Sequence, residues 1–213
     1  MMKLKKCLMA ALFVCTAVAA AAIAPSSASA EAYVYTSEKY GYTIDCPEKP
    51  TGVIPVSLLY ENKKGDVLIF KNDGFNIQKA WLIIPNAFAD KDVPNLNKIS
   101  DADAKKLAEK LATHNGYETA AVITINAANK GLFAVTAKEV DIDTNGDGKP
   151  DTTAKADTQM AVTFLRGDKG GHFEIDLIDN PDLTQANIDE YRAGMSTFKE
   201  IDQPKNAKQE KKK

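Results

Sequence analysis

The sequence predicts an α+β fold, a central antiparallel sheet flanked by helices, with an acidic hairpin near residues 143–151. Three observations lead there. From residue 31 onward, short segments alternate apolar and polar residues at period two, as half-covered strands do. Two longer segments, near residues 100–115 and 182–198, carry helical spacing between capping residues instead. The order is strands, a helix, more strands and a closing helix, and one antiparallel sheet with helices on its faces satisfies it most simply.

The chain opens with MMKLKKCLMAALFVCTAVAAAAIAPSSASA. Lys3, Lys5 and Lys6 form a charged start, Cys7 to Ala24 an apolar body, and Ala28-Ser29-Ala30 the small residues that signal peptidase requires. Residues 1–30 are therefore expected to be a cleaved signal peptide, residues 31–203 one domain, and residues 204–213 a lysine-rich disordered tail. The expected location is exported: periplasmic, envelope-associated or extracellular. The alternative is an uncleaved anchor, because the apolar run approaches a minimal bilayer span. A lipid anchor needs a small residue before the modified cysteine, and Lys6 and Val14 do not qualify. Export removes Cys7 and Cys15, so the domain keeps only Cys46 and must hold together without an internal disulfide.

Taken in order, AYVYTS and GYTIDC are half-buried strands, and Cys46 within the second reads as a small packing residue. VIPVSLLY and VLIF flank the turn ENKKGD, a hairpin around Asn62 to Gly65. KAWLIIPN is nearly all apolar, which suits a strand covered on both faces, with Trp81 as a core anchor. ISDADAKKLAEKLATHNGY is a helix: Ser100 or Asp101 caps it, Ala104, Leu107 and Leu111 share a face, His114 suits the last turn, and Asn115-Gly116 stops it. Strands resume in TAAVITINA, GLFAVTAKEVDI, TTAKADTQMAVTFLRG and GHFEIDLID. The closing helix in NPDLTQANIDEYRAGMSTFKE starts at Asp182 or Thr184, turns Ile188, Tyr191 and Met195 to one side, and leaves Phe198 as a clamp onto the sheet.

The 27 basic and 29 acidic side chains give a net charge of −2, and removing the three signal lysines leaves 24 against 29, or −5. An acidic body argues against nucleic-acid binding, which requires clustered Lys and Arg to neutralise phosphate. The end, KNAKQEKKK, has five lysines and one glutamate. It offers at most a weak contact with an anionic envelope polymer or lipid.

Between GLFAVTAKEVDI and TTAKADTQMAVTFL, two strands that would pair as a hairpin, lies DIDTNGDGKPD. Asp143, Asn145 and Asp147 stand at first, third and fifth places of a loop with Gly148 at sixth, the opening of a calcium-loop pattern. Alternate side chains in a tight turn can bring oxygens to one point, and calcium takes six to eight of them. The Lys149 carbonyl at seventh place and Asp151 at ninth would extend the set. Twelfth place holds Ala154 where an EF-hand has a bidentate glutamate, so Glu139, Asp141, Asp157 or water would complete the shell. The nine residues DTNGDGKPD resemble the calcium loops of dockerin modules and thrombospondin type 3 repeats. That resemblance implicates Asp143, Asn145, Asp147 and Asp151 as side-chain ligands, Lys149 as a carbonyl ligand, and a structural calcium as cofactor. The competing reading is a plain Asn-Gly and Asp-Gly turn with solvated charges.

No GxSxG, HExxH, CxxC, GxGxxG or Walker loop occurs. His172 reads as an exposed strand-start residue, and the pair Glu174 and Asp176 fits an outward strand face. The two ends of the domain, SEKYGYTIDCPEKP and FEIDLIDNPDLTQANIDEYRAGMSTFKEI, resemble the PsbP-like family in order and type of element. The resemblance implies an α/β/α sandwich serving as a binding or accessory module without intrinsic catalysis. The expected function is thus an exported, non-catalytic binding or accessory protein with a calcium-stabilised acidic hairpin and an unidentified protein or envelope component as partner. The alternative is a small exported hydrolase with an acid-based site and a structural calcium.

Overall fold

The computed structural model describes residues 32–114, 116–142, 144–149, 151–155 and 158–202. The expected signal peptide and the tail from 204 to 213 lie outside the described residues.

Seven strands form one antiparallel sheet in the order β3-β4-β5-β11-β10-β7-β6: Gly52–Pro55, Asp66–Asp73, Asn76–Pro85, His172–Asp179, Met160–Arg166, Lys130–Thr136 and Tyr117–Thr124. The apolar run in β5 lies inside the sheet, paired with β4 on one side and β11 on the other, and Ala80 to Ile84 are all buried. A second antiparallel sheet joins β1 (Tyr33–Ser37), β2 (Tyr42–Cys46) and the two-residue β12 (Lys199–Glu200) in the order β1-β2-β12. β8 (Glu139–Ile142) and β9 (Thr152–Lys155) pair as a separate ribbon.

Helix α1 (Asp101–His114) starts where Ser100 Oγ accepts the Asp103 amide at 3.1 Å, satisfying a first-turn donor. α2 (Gln185–Thr197) is capped by Thr184, whose Oγ1 accepts the Asn187 amide.

These elements correct the predicted helix-flanked sandwich. The described chain is mostly β, 42% strand against 18% helix, with two sheets and only two helices. On one face of the large sheet, Leu68, Trp81, Ile83, Ala161, Leu165, Ile175 and Leu177 pack against α2 (Tyr191, Met195) and equally against the small sheet (Tyr42, Ile44, Cys46). That layer is therefore half sheet. Tyr42 joins the two sheets further, its hydroxyl donating to Asp66 Oδ2 at 2.7 Å, while its ring stacks on Phe198. The opposite face carries two separate apolar clusters. α1 and the segment 86–100 cover Leu132, Phe164, Ala120 and Val122 at the β6 end. Val56, in a short 3-10 turn at Val56–Leu58, covers Val67, Ala80, Leu82 and Ile84 at the other. The segment PNAFADKDVPNLNKIS supplies cover without a helix because its prolines and asparagines interrupt helical spacing.

Among the described residues no helix is long and apolar enough to cross a membrane.

Candidate functional site

β7 and β10 pair within the large sheet, and the chain continues from them into β8 and β9, whose ribbon runs from Glu139 opposite Lys155 to Ile142 opposite Thr152. The acidic loop is the tip of this ribbon. Asp143, the first of the predicted ligands, lies outside the described residues. Asn145, Asp147, Lys149 and Asp151 are all exposed.

Their side chains fold the tip. Asn145 Oδ1 accepts the Asp147 amide at 2.9 Å, and Asp147 Oδ1 accepts the Lys149 amide at 2.8 Å, two successive turns in which a side chain caps the backbone two residues on. Gly146 and Gly148, at φ 78° and 80°, supply the left-handed conformation between them. Asp151 closes the loop, its Oδ1 accepting the Thr144 hydroxyl at 2.7 Å and the Thr144 amide at 3.3 Å. The Thr144 hydroxyl above all, with backbone amides adding to it, holds the Asp151 carboxyl below the usual carboxylate range. The tip thus keeps Asp151 charged and orders the alternate oxygens that a hard cation would take. Among the described residues no three His, Cys, Asp or Glu side chains are grouped to hold a metal.

Two further clusters join residues distant in sequence. Glu174 and Asp176, which alternation assigns to an outward face, lie on a covered one, between the two apolar clusters. Their cross-strand neighbours, Ile84 and Leu82 on β5 and Phe164 and Val162 on β10, belong to that face. Asp176 is 2% exposed, and burial, with the charge of Glu174 adding to it, raises its carboxyl well above the ordinary range. Lys63 reaches over from the β3–β4 connection to place Nζ 2.9 Å from Glu174 Oε1. A signal for this burial was present: β11 has apolar residues at 173, 175, 177 and 178, the mark of an interior strand whose faces are both covered.

His172, expected to be exposed, is half-buried in a clasp between the large sheet and the segment 86–100. Its ring lies 4.8 Å from that of Phe88, and its Nε2 stands 2.8 Å from both Asp90 Oδ1 and Arg166 Nη1. Arg166 Nη2 also bonds Asp90 Oδ1. A proton on Nε2 serves the carboxylate, and a bare nitrogen accepts from the guanidinium. Cys46 is buried, and burial first of all pushes its thiol up to about 12, so it is no nucleophile.

Comparison with family models, curated proteins and solved structures finds no match.

Proposed function

We propose that this is an exported, non-catalytic binding or accessory protein whose acidic ribbon tip takes up one calcium ion. The observation that carries the reading is the tip itself: a DxNxDGxxD run at the end of a ribbon, its alternate side chains locked into turns by two left-handed glycines. The ligands would be the side chains of Asp143, Asn145, Asp147 and Asp151 and the Lys149 carbonyl. An exposed loop without a bidentate glutamate suits the weak affinities of extracellular modules. The ion would relieve repulsion among the carboxylates and staple the ribbon. Export rests on the signal-like residues 1–30.

The hydrolase reading draws little support from the acid pair, because its cross-strand neighbours are the apolar Ile84, Leu82, Phe164 and Val162, which offer neither a nucleophile nor an oxyanion donor.

Calorimetric titration of calcium into chelator-treated protein, beside an Asp143→Ala, Asp147→Ala double variant, tests the reading. The expected result is saturable heat in the parent only, with a melting temperature that rises with calcium in the parent and not in the variant. Silence up to millimolar calcium would leave DTNGDGKPD a polar turn.

A further inference from the structure

The buried acid pair on β11 raises a question of its own, because an interior strand gains nothing from a carboxyl that finds no partner. Asp176 Oδ1 is buried with no hydrogen-bond partner. Beside it, Glu174 keeps only 12% of its side chain exposed and binds the Lys63 ammonium. Tyr60 lies under the same ammonium, its ring centroid 5.4 Å from Lys63 Nζ. Tyr117, from β6, faces the same charges: burial foremost, then Asp176 and Glu174, push its phenol up to about 12. The Glu174 carboxylate, beside an Asp176 carboxyl with an oxygen to spare, forms a set that recognises an organic ammonium, while Tyr60 belongs to the same loop as Lys63. The Glu174 carboxylate takes the charge and the spare oxygen of Asp176, whose burial favours the neutral carboxyl, accepts one of the N–H donors.

Lys63 already supplies such an ammonium, on a tether. Burial works against its charge, yet the bond to Glu174 and the charges of Glu174 and Asp176 outweigh that and hold its pKa above the ordinary value. The loop that carries it is closed at its base by Val56 N to Gly65 O, and its internal bonds are local, Tyr60 N to Val56 O and Lys63 N to Tyr60 O. Val56 anchors its start in the core and Tyr60 Oη touches Met160 Sδ at 3.5 Å, whereas Leu58 is 68% and Leu59 40% exposed. Beyond the anchored Val56, residues 57–64 have closed ends, local backbone bonds and outward leucines, so this part can lift while Val56 and the sheet stay in place.

We infer that the Glu174–Asp176 face is a binding site for a primary alkylammonium group, covered in this structure by a flap whose Lys63 occupies it as a tethered competitor. A ligand that enters must displace Lys63, so affinity in the parent is reduced by the fraction of time the flap stays closed. The group can be carried by a free linear amine or by a lysine side chain, which share the recognised chemistry.

The test uses the full chain with and without Lys63→Ala, titrated in chelator, so that failure here and failure at the ribbon tip are separable. Probes are 1,5-diaminopentane, Nα-acetyl-lysine amide, and 1,5-pentanediol as the neutral shape control, read by calorimetry and melting temperature. The expected result is saturable amine binding at least tenfold tighter in Lys63→Ala than in the parent, abolished when Glu174→Gln is added, with no response to the diol. Preference for the diamine identifies a free amine as the ligand source, and preference for the acetylated lysine identifies a side chain. Lys63→Gln, which keeps the length of the stem, guards against a loop that collapses in the alanine variant and should bind as Lys63→Ala does. Absence of saturable amine binding in both Lys63 variants overturns the inference. So does equal affinity in parent and variants, or equal response to the diol.

Discussion

Gly194 of α2 rests directly on Trp81 of β5, so close that a Cβ at position 194 would stand 2.6 Å from the indole Cζ3 and 2.7 Å from the Asp45 carbonyl oxygen. Neither neighbour can retreat. Trp81 is fully buried, with Phe70 and Tyr191 packed edge-on against it, and the Asp45 carbonyl belongs to β2. Two effects therefore compete in Gly194→Ala. Alanine favours the helix by about 1 kcal/mol, while overpacking a tight core costs roughly 1–3 kcal/mol or more. Contact with backbone on one side and a wedged indole on the other puts the cost at the upper end, so the variant should be less stable in denaturant melts. A gain in stability would mean that α2 docks more loosely than this contact implies.

Tyr191 ties the same helix to the sheet through its hydroxyl, which donates to the Ile175 carbonyl at 2.5 Å and shares a hydrogen bond with the Thr163 hydroxyl at 2.8 Å. All of this is buried. Tyr191→Phe should cost about 1–3 kcal/mol, because the Thr163 hydroxyl loses its partner where water cannot replace it. Adding Thr163→Val removes that orphan and should return part of the loss. A double-mutant cycle with zero coupling would show that the two hydroxyls do not depend on each other.

These contacts mark what could be read from sequence. Both helices were legible because their signals are local: Ser100 three residues before Asp103, Thr184 three before Asn187, and apolar residues at helical spacing between. β5 was legible as an apolar run. The second sheet was not, because β12 is two residues long and its pairing of Lys199 with Thr43 leaves no periodic trace in either segment. Counting AYVYTS and GYTIDC as strands was sound, but strand type does not say which sheet a strand joins. The ribbon tip was legible since its spacing lies within nine residues. The Lys63–Glu174 pair was not, since its members meet across 111 residues. Period two alone turns Glu174 and Asp176 outward, whereas both faces of β11 are covered.

Asp176 makes stability depend on pH. Its folded pKa is raised, by burial first and Glu174 second, while an unfolded carboxyl titrates near 3.9. The folded state therefore holds the proton more tightly. The stability this contributes is fully present below about pH 3.9 and is lost as pH rises from there through the folded value, with a slope of up to about 1.4 kcal/mol per pH unit. Lys63 opposes the shift, whereas Glu174 adds to it and Tyr60 and Tyr117 face the same group. Asp176→Asn removes the titration. Its denaturation midpoint should exceed the parent's at pH 7–8, and the advantage should shrink toward pH 4. Parallel curves across that range would mean that Asp176 ionises freely in the folded protein.

The clasp at Asp90 has the opposite sign. Bonds from Arg166 first and His172 second hold its carboxyl below the usual value. A depressed folded pKa contributes above the unfolded value near 3.9 and is lost as pH falls through the folded one. Asp90 is 72% exposed on its side chain, so solvent screens the pair and global stability should hardly respond to Asp90→Asn. The start of the segment 86–100 should respond instead, because this carboxylate, the Ala87 amide bonded to the His172 carbonyl and the Val93 carbonyl that accepts from Arg166 attach it to the sheet, while the Asn97 bonds and the cover of Phe88, Val93 and Leu96 hold the rest. Hydrogen exchange at the Ala87 and Val93 amides should quicken several-fold in the variant at neutral pH, and the two proteins should converge as pH falls through the depressed folded value of Asp90 and its carboxyl becomes neutral. Equal protection at neutral pH would assign the attachment to the remaining contacts of Ala87, Phe88, Val93, Leu96 and Asn97, leaving Asp90 as a surface charge that merely lies near Arg166.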